Sequence, residues 1–327
     1  MSPAHAGARP PLAAPTLDEI RAARERLRGV AVRTPLLRLN VDAPGEIWLK
    51  CENLQPIGAF KIRGAGNAMA RLSPAELSRG VYTASAGNMA QGVAWCARRL
   101  GTPCSVVVPE HAPAAKIQAI ERLGASVVKV PFDEWWRVMT EHQYGGLDGT
   151  FVHPFAHPDV LAGNGTIALE ILEDLPDPDA VLVPYGGGGL SSGIAAGLRA
   201  LKPGIPVYAC EVSTAAPLAA SLAAGEPRTI DYVPSFVDGI GGKGVFPDVW
   251  PLVRELLAGS LVVTPEAAAA ALRLLVERNH IVAEGAGAVP VAAALEGRAG
   301  SGKVVCVVSG GNIDPSKVAA ILSGTMP

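Results

Sequence analysis

From about residue 47 to the C-terminus, short runs of consecutive apolar residues alternate with longer stretches of helical spacing. Segments 47–50, 81–84, 105–108, 126–130, 180–183, 206–209 and 303–308 have strand length, and most are apolar throughout instead of at every second position. A strand apolar on both faces must be covered on both, as in a parallel sheet between layers of helices. Between these runs, segments 89–100, 114–123, 167–175, 191–201 and 265–279 carry good helix formers at helical spacing. Near the start, Thr16-Leu17-Asp18-Glu19 has the hydroxyl and carboxylate of a capping box and opens an amphipathic helix running to about Arg28. The strand–helix–strand rhythm predicts an open α/β architecture.

Composition narrows the class of function. A chain of 327 residues is ample for one extended domain or two, and its 28 basic and 30 acidic residues nearly cancel. No basic cluster beyond short patches such as Arg98-Arg99 stands out, which speaks against nucleic-acid or membrane-surface partners. The five cysteines, Cys51, Cys96, Cys104, Cys210 and Cys306, form no C-x-x-C pair and read as core thiols of a reducing compartment. Residues 1–15 are rich in Ala and Pro, lack the apolar core of a signal peptide and are expected to form a disordered arm. No stretch has the length and apolarity of a membrane span, so a cytoplasmic protein is expected.

Four strand ends carry candidate chemistry. Gly186-Gly187-Gly188-Gly189 lies between the strand ending at Pro184 and a helix expected from near Ser191. Backbone amides converging there beside a helix N-terminus suit a phosphate, although a flexible strand-to-helix turn would use the same glycines. The run matches neither the P-loop nor the usual dinucleotide fingerprint. Lys61 lies between Phe60 and Ile62: desolvated by them it would be a neutral nucleophilic amine, the alternative being the solvated surface ammonium that most such lysines are. Ser85-Ala86-Gly87-Asn88 follows the 81–84 strand and opens a helix whose amides suit a carboxylate, the alternative being ordinary capping. Ser309-Gly310-Gly311-Asn312 repeats the logic after the last buried strand. Ligands of α/β sheets gather at such carboxyl ends. The histidines form no metal set: Pro154 and Pro158 keep His153 and His157 off one helix face, and no metal is expected.

Taken in order, Glu52-Asn53-Leu54-Gln55, Gly58-Ala59-Phe60-Lys61, Ser85 to Gly92, Gly186 to Leu190 and Ser309 to Asn312 resemble the fold-type II pyridoxal-phosphate enzymes, most nearly the threonine and serine dehydratases, with serine racemase close by. The resemblance implies a tryptophan synthase β-like fold: two open, twisted, mostly parallel sheets flanked by helices, with pyridoxal 5′-phosphate in the cleft between domains. Residues 16–79 and 150–327 would form the large domain and 80–149 the small one. Lys61 would carry the cofactor as a Schiff base, Phe60 would lie beside its ring, and Asn88 would meet its phenolic oxygen. Gly186, Gly187, Gly188, Gly189 and Leu190 would hold the phosphate, and Ser309 would face the pyridine nitrogen. Ser85, Ala86, Gly87 and Asn88 would receive the substrate carboxylate. The implied reaction is dehydration and deamination of a β-hydroxy amino acid, by a homo-oligomer, a dimer in the family. Racemisation and β-replacement are the alternatives within the fold.

The chain also departs from the family pattern. Ala59 and Met89 replace the usual serine and histidine, leaving open a bulkier or acidic substrate. Ala86 stands where a serine racemase has its second acid/base, which makes racemisation less expected. No acidic residue follows Glu211 near Pro217, where a racemase-like cation site would need one.

Overall fold

A computed structural model describes residues 12–43 and 45–327; of the expected disordered arm, residues 1–11 lie outside the described residues. Leu12 donates its amide to Asp248 O at 3.2 Å, and Pro15 is buried. The strands are β1 (Leu36–Arg38), β2 (Glu46–Lys50), β3 (Val81–Ala84), β4 (Cys104–Pro109), β5 (Ser126–Val130), β6 (Thr150–Phe151), β7 (Ala180–Pro184), β8 (Val207–Val212), β9 (Gly259–Val263) and β10 (Lys303–Val307). They form a six-stranded sheet ordered β1-β2-β10-β7-β8-β9 and a four-stranded sheet ordered β5-β4-β3-β6. Every pairing is parallel except β1 with β2. β6 pairs with β3, carrying the smaller sheet just past residue 149.

The helices are α1 (Leu17–Arg26), α2 (Lys61–Met69), α3 (Pro74–Arg79), α4 (Asn88–Leu100), α5 (Ala114–Arg122), α6 (Phe132–Glu141), α7 (Pro158–Asp174), α8 (Gly189–Leu201), α9 (Pro217–Ala224), α10 (Trp250–Leu256), α11 (Pro265–Asn279), α12 (Gly285–Leu295) and α13 (Pro315–Leu322). The capping box read at Thr16 forms, with Thr16 and Glu19 each accepting from the other's backbone. Both faces of the larger sheet are buried: Leu182 and Cys306 point into one apolar cluster, while their strand neighbours Val181, Val183, Val305 and Val307 point into the other. This is why those strands read as unbroken apolar runs. Among the described residues, no helix is long and apolar enough to cross a membrane.

Two expected helices start earlier in the structure. α8 begins at Gly189, two residues before Ser191, and α7 begins at Pro158 with His157 as its N-cap, nine residues before the expected start at 167. The hidden turns are glycine-rich because backbones cross there. A Cβ on Gly163 would collide with Arg63 O, and one on Gly193 with Leu161 O, so α2, α7 and α8 approach closely only with glycine at these positions.

Candidate active site

Lys61 is the first residue of α2, so its direction depends on how that helix is anchored. Arg63, two residues on, is 2% exposed and donates to Glu52 (2.8 Å) and Glu170 (2.7 Å). Lys50, fully buried, donates to Glu170 at 2.6 Å and to Thr34 O at 2.6 Å. Two cations and two carboxylates thus tie α2, β2 and α7 into one balanced network; burial pushes Glu52 up, but Arg63, Lys50 and Thr34 together outweigh it and keep Glu52 ionised. From this anchor the Lys61 amine reaches Pro154 O at 2.6 Å and stands 5.2 Å from the centre of the Phe60 ring. Burial pushes the amine down to about 8, against the pull of the Glu284 carboxyl.

The other strand-end segments close around it. Phe60 N donates to Ser309 O (3.0 Å) and Gly311 N to Gly58 O (2.8 Å), laying 58–60 alongside 309–311. Ser309 is 2% exposed at the end of β10. Unlike Asn88, it opens no helix: the next one starts at Pro315, and Asn312 works through its side chain, donating to Ile57 O and Asn88 Oδ1, both at 2.8 Å. Asn88 Nδ2 in turn lies 3.0 Å from both oxygens of Glu284. At the end of β3, Gly87 N donates to Ser85 Oγ (3.1 Å), and no side chain caps α4. Ala86 packs its methyl against the core of the smaller sheet.

The glycine loop leads into an uncapped helix start. Gly188 turns through φ 83°, no side chain caps α8, and the first-turn amides have no carbonyl one turn back to bond. Behind the loop there is no room: a Cβ on Gly187 or Gly189 would collide with Phe155, and one on Gly188 would lie 2.8 Å from Val249. These glycines are therefore required by the protein's own packing. Gly186 is open, with nothing nearer than 3.6 Å to its Cβ position, and Leu190 buries its side chain in the core.

Two departures that pointed to substrate choice are buried: Ala59 (0% exposed) and Met89 (1% exposed) are part of a core cluster with Ile57, Ile62 and Val93. Glu211 accepts from Leu218 N, Ala219 N and Ser260 Oγ, so this carboxylate serves the start of α9. His153 accepts two amides at Nδ1 (Phe155 N and Ala156 N) with Nε2 toward Met139 O, and burial holds it neutral; it shapes the turn that presents Pro154 O to Lys61. A cavity of about 600 Å³ along α6, lined by Tyr82, Arg137 and Tyr144, contains none of these residues.

Glu284 escaped the sequence reading. It is 6% exposed, caps the start of α12 through its backbone, and burial pushes its carboxyl up to about 7. Its signal was a single charge inside the run Ile281-Val282-Ala283-Glu284-Gly285-Ala286, where a charge must find a partner or stay protonated.

A desolvated lysine beside Pro154 O, with an uncapped, glycine-built helix start packed on the adjoining Phe155, suits a phosphorylated carbonyl group held through an amine. The pyridoxal-phosphate dependent enzyme model matches residues 27–310. The L-threonine ammonia-lyase of Thermotoga maritima is 42% identical over 314 residues, 94% of this chain and 78% of that protein. The catabolic L-threonine dehydratase of Escherichia coli is 38% identical over 313 residues, 93% and 95% of the two chains. The solved serine racemase of Dictyostelium discoideum superposes with a TM-score of 0.83 at 35% identity, covering 92% of this chain and all of that one. The chain belongs to the pyridoxal-phosphate dependent enzyme family, and its fold is that of the fold-type II members.

Proposed function

We propose that this protein is an ammonia-lyase that converts a β-hydroxy amino acid, L-threonine or L-serine by default, into a 2-oxo acid and ammonia. The observation that carries this reading is the Lys61 amine, lowered to about 8 and held among four strand ends, in a chain 42% identical to an L-threonine ammonia-lyase. Bound pyridoxal 5′-phosphate supplies the electron sink that stabilises negative charge at the substrate Cα. Lys61 would hold the cofactor, and its Nζ, when free, would take the Cα proton; an amine lowered to about 8 is partly neutral at physiological pH. The amides of Gly186, Gly187, Gly188, Gly189 and Leu190 receive the phosphate, and Phe60 flanks the ring. Asn88 donates to the phenolic oxygen. The neutral Ser309 hydroxyl meets the pyridine nitrogen without forcing its protonation, which favours β-elimination over transamination. Ser85, Ala86, Gly87 and Asn88 bind the substrate carboxylate at the start of α4.

In this reading residues 16–79 and 150–327 form the large domain and 80–149 the small one, with the cofactor in the cleft between them. The protein works as a cytoplasmic homo-oligomer, a dimer by resemblance. Ala86 offers no second acid/base group, which separates this chain from the racemases it resembles in fold. The test is to incubate the cofactor-loaded protein with L-threonine and with L-serine. Equal amounts of 2-oxo acid and ammonia are expected, with no D-enantiomer in the residual substrate. D-enantiomer forming as fast as 2-oxo acid would make it a racemase, and incorporation of added sulfide in place of 2-oxo acid a β-replacement enzyme.

A further inference from the structure

The side chain of Asn88 is held at both ends. Asn312 Nδ2 has two hydrogens and two acceptors, Ile57 O and Asn88 Oδ1, each at 2.8 Å. Because Ile57 O can only accept, Asn312 must present its NH2 group there, and Asn88 must present its carbonyl oxygen to Asn312. The Asn88 NH2 group therefore faces the other way, where both Glu284 oxygens lie 3.0 Å from it. An acceptor at that place fixes the amide against flipping. One N–H suffices for Glu284, which leaves the second for a ligand oxygen in the cleft.

The pocket around Glu284 is built for a carboxyl group. A Cβ on Gly310 would lie 2.8 Å from Glu284 Oε1, and one on Gly239 2.9 Å from the same atom, so glycines on two separate loops give it room. Glu284 N donates to Gly310 O at 2.9 Å, which ties the residue to the segment after β10. The charged groups acting on it are Asp238, Lys116 and Lys61, and its negative charge favours a proton on Lys61 Nζ.

We propose that Glu284 is a positioning residue for the cofactor: it holds Asn88 with an N–H toward the cofactor's phenolic oxygen and favours a proton on the nitrogen that joins Lys61 to the cofactor. The proposal rests on the cofactor reading above, in which Lys61 carries pyridoxal 5′-phosphate and Asn88 meets its phenolic oxygen. Donation to that oxygen stabilises it as an anion, and the proton on the nearby nitrogen makes the linkage electrophilic toward an incoming amine. Both follow from one buried carboxyl.

The test is a pH titration of the visible band of the cofactor-loaded protein, with no substrate present, in the native chain and in Glu284→Gln. The midpoint of the band change is expected about one pH unit lower in the variant, the size of effect that loss of one nearby opposite charge produces. A role confined to packing would lower stability or cofactor retention and leave the midpoint unmoved. Should Glu284→Gln not fold, Glu284→Asp, which keeps the charge but withdraws it by one methylene, is expected to move the midpoint the same way by less. An unmoved or raised midpoint in a variant that forms the band overturns the proposal and leaves the cofactor reading standing. No visible band in the native protein overturns both.

Discussion

A lysine amine in water is almost wholly charged at neutral pH, but Lys61 is not in water: burial lowers it to about 8, with Glu284 restraining the fall. Joining a carbonyl group requires the neutral amine, so the rate at which the cofactor-free protein takes up pyridoxal 5′-phosphate is expected to rise with pH and level off above about 8. A rate still climbing toward the ordinary lysine value of about 10.4 would show a solvated amine. Gly187 gives a second prediction at this scale. Its Cβ direction points into the Phe155 ring, so Gly187→Ala is expected to cost about 1–3 kcal/mol through overpacking and to weaken cofactor retention as the loop shifts. An unchanged denaturation midpoint would mean that Phe155 moves aside freely.

The elements that hold these residues are fixed by burial and by charge together. Glu170, on α7, accepts from Lys50 and Arg63 and so links the helix that begins with Lys61 to the sheet. Glu170→Gln leaves two buried cations with one carboxylate and is expected to lower unfolding stability by about 3–5 kcal/mol, read as a shifted urea midpoint. A small shift would mean that water reaches the network. Strands such as β7 and β10 were legible in the sequence because both their faces are apolar, and α1 because its capping box is local. α12 was not legible: its Gly, Ala, Val and Pro residues are buried on all sides, and a helix without a polar face has no 3.6-residue pattern to read. The first half of α7 was hidden by Gly163, Asn164 and Gly165, residues of low helix propensity that close packing against α2 and α8 requires.

On the scale of the whole molecule, the site exists because two sheets bring distant strand ends to one place. Asn88 bonds Glu284 196 residues away and Asn312 224 residues away. Glycine runs stand out in the sequence because close backbone approach admits few residue types. The lone charge at Glu284 is visible in its apolar run, but its partner Asn88 is not, since any acceptor of the right reach would satisfy an amide. The same distinction explains Ala59 and Met89, whose positions in the motifs pointed to the substrate while their side chains fill the core. The claim on which the account rests is that the cofactor is held by Lys61. Borohydride reduction of the cofactor-loaded protein makes a lysine–cofactor linkage permanent, and tryptic digestion followed by mass measurement locates it. The added mass is expected on the peptide from Cys51 to Arg63, uncleaved at Lys61. The same mass on a peptide bearing another lysine, or on none, would contradict it.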